Sequence, residues 1–230
     1  MNTTVKPSIV LVHGAFADAS GWGRVITALE KDGYTVTAVQ NPLTSYADDV
    51  ATTKRLIDAQ PGNVVVVAHS YGGAVITAAA AGNTNVKALV YIAAFAPDAG
   101  EVLGALLEQF PNDVGKSFRP DAAGFVSIDR AAFHGVFCAD VAKDEAAIMA
   151  ATQKPIHGSA FGASVETPAW KTIPAWFIVA SGDNVINPDL ERFFAKRMNA
   201  TTTELKSSHV PFISKANDVV KVILAAATAK

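Results

Sequence analysis

The sequence predicts an α/β fold, with a mostly parallel central sheet covered by helices on both faces. Three observations carry that expectation. Short apolar, β-branched runs recur at 8–12, 64–67, 86–94 and 175–180, each too short for an ordinary helix and suited to strands buried on both faces. Stretches with helical spacing of apolar side chains lie between these runs. Three reactive polar residues, Ser70, Asp183 and His209, each follow a predicted strand, so a parallel sheet places them along one edge.

Taken in order, strand 8–12 ends in the loop His13-Gly14-Ala15-Phe16. A helix is expected over 21–31, with Trp22, Val25, Ile26 and Leu29 on one face and Gly33 as its stop. Strand 34–39 follows, then the Asn41-Pro42 loop, then a helix to about residue 59 opened by a Ser45-x-x-Asp48 capping pattern. The central strand runs into Ser70 and an Ala-rich helix to about residue 81, and 86–94 is the next strand. From Asp98 to Trp170 the alternation lapses. Helical stripes at 101–110, 129–137 and 143–153 are separated by Pro111, Pro120, Gly124, Pro155 and Gly158, and this stretch reads as a mainly helical lid. Alternation resumes with strand 175–180, helix 188–198, strand 201–205 and a final helix with Val219, Val222, Ile223 and Ala226 on one face. The expected division is a core of 1–97 and 171–230 with a cap of 98–170.

Half of the 230 residues are hydrophobic, enough for one sizeable core. A net charge of -2 without a basic stripe argues against nucleic acid or an anionic membrane as partner. Cys138 is the single cysteine, which excludes an internal disulfide framework and points to a reducing, cytoplasmic setting. The short apolar run before His13 is neither a signal peptide nor a membrane span, although a removed export leader would leave no trace. The expected partner is a small molecule, and a homodimer is compatible with the composition.

The chemistry centres on Val66-Val67-Ala68-His69-Ser70-Tyr71-Gly72-Gly73. A tight strand-to-helix turn strains its central residue and pushes the side chain out at the sheet edge. The ideal Gly-x-Ser-x-Gly pattern has Ala68 in its first position here, and a serine opening a helix can equally be its N-cap. A serine hydroxyl needs a base, and an imidazole needs a carboxylate to hold its tautomer. The order Ser70, Asp183, His209 matches that requirement, with Asp98 as the rival acid. Taken singly, Asp183 could make a turn and His209 sit in a surface loop. The backbone N–H groups of Ala15 and Tyr71 are the expected oxyanion donors. His13 and His69 read as structural, and His134, His157 and Cys138 show no metal-ligand spacing. Phe16, Phe95, Phe110, Phe133 and Phe137 are candidate pocket walls, although core packing accounts for any one of them equally well.

Four motifs resemble the α/β-hydrolase superfamily: Ile9 to Phe16 with Trp22, Val66 to Gly73, Ala94-Phe95-Ala96-Pro97, and Ser208-His209-Val210-Pro211-Phe212. The chain resembles small bacterial members related to salicylate-type methyl esterases and hydroxynitrile lyases. That resemblance implies a cofactor-free, metal-free serine hydrolase acting on esters or lactones. Its nucleophile would be Ser70, its base His209 and its orienting acid Asp183, with a helical lid above. The relevant lyases carry Thr where this chain has Gly14, and Lys where it has Val210, so lyase or perhydrolase chemistry ranks behind hydrolysis. A ligand-binding receptor on the same fold is the alternative outside enzymology.

Overall fold

The computed structural model describes residues 6–229. Six strands form one parallel sheet: β1 (Ser8–Val12), β2 (Val36–Val39), β3 (Val64–Ser70), β4 (Val86–Ala94), then, beyond a long excursion, β8 (Ala175–Ala180) and β9 (Thr201–Leu205). The spatial order is β2-β1-β3-β4-β8-β9. Every residue of β1 and β3 is buried, which is why these strands read as unbroken apolar runs. The chain leaves β1 toward one edge, to β2, and returns past it to β3. The crevice therefore opens at the carboxyl ends of β1 and β3, where ligands bind in such sheets.

The helices follow their sequence signals with small differences. A 3-10 turn at Ala19–Trp22, capped by Asp18, precedes α1 (Gly23–Lys31), so the regular helix starts two residues later than its apolar stripe suggests. Gly33 at φ +77° closes α1, and the Tyr34 N–H donates back to Leu29 O at 3.1 Å, which delays β2 to Val36. In α2 (Tyr46–Asp58), the Asp48 N–H donates to the Ser45 hydroxyl, and that hydroxyl donates to the Asp48 carboxylate. After α3 (Tyr71–Ala79) and β4, residues 98–170 fold as α4 (Leu103–Gln109), β5 (Phe118–Pro120), β6 (Phe125–Ile128), α5 (Arg130–Phe137), α6 (Lys143–Thr152) and β7 (Ile156–His157).

Helices make up most of the regular structure in this stretch, and the antiparallel β5-β6-β7 sheet is an element that its sequence did not announce. Its strands are two to four residues long, too short to show alternation, and β6 pairs with β7 across the whole α5–α6 hairpin. The last elements are α7 (Pro188–Arg197), α8 (Pro211–Ser214) and α9 (Ala216–Thr228). The face of α9 that carries Val219, Val222, Ile223 and Ala226 is buried, and α9 packs beside α1 while α2 packs on α3. Among the described residues no helix is long and apolar enough to cross a membrane.

Candidate active site

Ser70 ends β3 at φ 55° and ψ -128°, a conformation that non-glycine residues rarely adopt. The turn is possible because its neighbours are bare. A Cβ on Gly72 would lie 2.7 Å from His13 O and 2.8 Å from Val12 O. One on Gly14 would lie 2.6 Å from Ser70 Cβ and 2.9 Å from His69 O, so a side chain at this position would crowd the serine. Ala68, by contrast, lies fully buried within β3, paired with Val12 and Tyr91, and its methyl is accommodated in the sheet.

His209 lies in the loop after β9 and is fully buried. Its Nε2 lies 2.9 Å from Ser70 Oγ and its Nδ1 2.5 Å from Asp183 Oδ2. Asp183 follows β8, and its Oδ1 accepts N–H bonds from Val185 at 2.6 Å and Ile186 at 3.0 Å. Three loops, far apart in sequence, thus converge at one sheet edge. Asp98 instead pairs with Lys171 and caps the Ala99 N–H.

The loop after β1 is braced by His13. Its Nδ1–H donates to Gly14 O at 2.8 Å, and its Nε2 accepts the Asn41 N–H at 3.0 Å. Burial lowers the His13 pKa to about 4, so the ring is neutral at pH 7. Ala15 follows, and Tyr71 opens α3, where first-turn N–H groups lack helical partners. Among the described residues neither of these two amides is engaged by another group. The Tyr71 hydroxyl donates to Asp49 Oδ2 at 2.7 Å, and Asp49 Oδ1 accepts the Leu43 N–H. Asp49 is buried and its pKa is raised by that burial, a brace that the capping pattern of α2 alone could not reveal.

His69 packs its ring 4.5 Å from that of His209, and its Nε2–H donates to His209 O at 2.8 Å. Burial, then the neighbouring His209, lowers its pKa well below the usual histidine range, so it remains a neutral donor. Its packing role therefore includes holding the loop of His209.

A small cavity of about 20 Å³ adjoins Ser70. Phe16 and Phe95 line it, together with Ala15, Tyr71, Leu107, Val114, Phe118, Phe161, Val185 and Ile186. Phe110, Phe133 and Phe137 do not. Phe110, just past the end of α4, packs its ring at a tilt on Phe193 at 5.6 Å, away from the site, while α4 turns Leu107 inward instead. Phe133 is buried behind Phe137, and Phe137 sets its ring edge-to-face with His209 at 5.1 Å, shielding the imidazole from water. Leu107 belongs to the apolar stripe of 101–110, but nothing in the spacing said which of its members faces Ser70. Among the described residues no group of three or more His, Cys, Asp or Glu side chains is placed to hold a metal ion.

A model of the alpha/beta hydrolase family matches residues 9–222. The chain belongs to that family. This hydrolase is 26% identical over 227 residues to a probable hydrolase of Phoma sp., covering 90% of this chain and 92% of that protein. It is 25% identical to putative methylesterase 19 of Arabidopsis thaliana, covering 95% and 96% of the two chains. The fold is shared with polyneuridine aldehyde esterase, at TM-score 0.83 and 17% identity over 96% of this chain and 99% of that one. It is also shared with a pyrethroid hydrolase of Sphingobium faniae, at TM-score 0.82 and 20% identity over 97% and 98%.

Proposed function

We propose that this hydrolase is a serine carboxylesterase, cleaving small, largely apolar esters or lactones through an acyl-enzyme on Ser70. The observation that carries the reading is the unbroken relay from Ser70 Oγ through His209 to Asp183. In the first step His209 Nε2 takes the Ser70 proton as Oγ attacks the ester carbonyl carbon. The oxyanion is received by the Ala15 and Tyr71 N–H groups. Asp183 stabilises the imidazolium, which then protonates the departing alkoxide. Water repeats the sequence on the acyl-enzyme, and the acid leaves with Ser70 restored.

Residues 98–170 act in this reading as a cap over the sheet edge, supplying Leu107, Val114, Phe118 and Phe161 to an apolar pocket. The relatives named as esterases and methylesterases support ester bonds as the target.

Ser70→Ala tests the assignment. The variant should fold as the wild type does by circular dichroism, lose about 10⁴-fold or more in kcat on p-nitrophenyl esters, and resist fluorophosphonate labelling. Retained turnover would reject Ser70 as nucleophile. A wild type that is stabilised by ester ligands but yields no steady-state product would be a receptor.

A further inference from the structure

Glu191 lies on α7, its side chain is fully buried, and its carboxyl group neighbours that of Asp183. Both residues are tied to the last residue of β8, Glu191 by its carboxyl group and Asp183 by its backbone. The Ala180 N–H donates to Glu191 Oε2 at 2.9 Å, and the Asp183 N–H donates to Ala180 O at 3.1 Å. Among the described residues Glu191 Oε1 has no hydrogen-bond partner. The cation that acts on it, Arg192, is exposed and turned to Asp189 and Glu204. Two carboxylates cannot both stay charged in one dry pocket without a cation between them. Three donors, from His209, Val185 and Ile186, already converge on Asp183, whereas Glu191 receives one. The negative charge is therefore best held by Asp183, and the proton by Glu191.

We propose that Glu191 is a neutral carboxylic acid whose Oε1–H donates to Asp183, making it a positioning residue for the Asp183–His209 pair. Nothing in its sequence context marked it, since it reads as one more acid in the first turns of a helix. Burial first, and the Asp183 charge second, raise its pKa well above the usual carboxylate range. The charged groups facing it are Asp183 from the β8 loop and, more distantly, Arg192 from its own helix. The role in catalysis rests on the triad proposed above, whereas the protonation state does not.

The test compares wild type, Glu191→Leu and Glu191→Gln. A glutamine can accept the Ala180 N–H and donate its own N–H to Asp183; a leucine can do neither. The expected result is that Leu lowers kcat by about tenfold or more at little changed KM, and that Gln restores most of the loss. Loss in Gln equal to that in Leu, or an undiminished kcat in Leu, overturns the positioning role.

Urea unfolding from pH 5 to 8 reads the proton without any assay of activity. If folded Glu191 keeps a proton that the unfolded chain releases, stability falls as pH rises. The wild-type unfolding constant then climbs about tenfold per pH unit relative to that of Glu191→Gln, up to the folded pKa. Parallel slopes overturn the neutral acid. A wild type inactive on every ester would instead sink the esterase reading and leave this slope test standing.

Discussion

His13 shows how one side chain is fixed by what surrounds it. Each ring nitrogen has one assigned job, donating to Gly14 O or accepting from the Asn41 N–H, and only the neutral ring can do both. Protonation would replace the acceptor with a second donor facing an N–H. NMR titration of the His13 ring protons should give a midpoint of about 4, against 6.5 for an exposed histidine. A midpoint above 6 would contradict the buried, neutral ring. The sign for stability follows from a lowered folded value: the unfolded chain takes the proton first as pH falls. His13 then costs nothing above pH 7, and its contribution worsens between 6.5 and about 4, reaching about 3 kcal/mol.

The β3–turn–α3 unit is the element on which the site depends. Its helix begins where the first-strand carbonyls pass, so Gly72 rests almost against Val12 O and His13 O. These are backbone atoms and cannot rotate aside. Gly72→Ala should therefore lower stability by about 2 kcal/mol in urea unfolding, and should lower kcat by moving Tyr71 away from Ala15. A variant matching wild type in both would mean the strand and helix can part without consequence. The same unit explains the pair of amides: Val12 and Ala68 are register partners, so the loops that follow β1 and β3 leave the sheet side by side.

Across the molecule, the core and the 98–170 segment meet over Ser70 and leave room for about one water. Any acyl group must displace side chains of that segment, and each further methylene displaces more. Held contacts resist this: Ser208 bonds Asp140, Lys154 reaches Asn41 O, and Arg24 pairs with Glu145 at 2.8 Å. With p-nitrophenyl esters from acetate to dodecanoate, kcat/KM should fall with acyl length, by about tenfold or more between butyrate and dodecanoate. Leu107→Ala should shift the optimum toward longer chains. A flat profile would mean that the segment opens freely.

The parallel sheet was legible in the chain because buried strands need continuous apolar runs, and the 86–94 and 175–180 strands begin and end where composition placed them; the Thr-rich edge strand 201–205, mostly exposed, was legible from its β-branched residues instead. The candidate site was legible for a related reason: Ser70, Asp183 and His209 each follow a strand, and a parallel sheet delivers all three to one edge. Side-chain direction within the 98–170 segment was not. Phe110 and Leu107 share one apolar stripe, yet packing against Phe193 rather than Ser70 separates their roles. Glu191 and Asp49 were equally hidden, because burial of a carboxyl and the company it keeps are properties of the assembled chain. Local pattern determines which strands and helices form. Only the contacts made between distant elements decide which polar group is dry, which is charged and which wall faces the nucleophile.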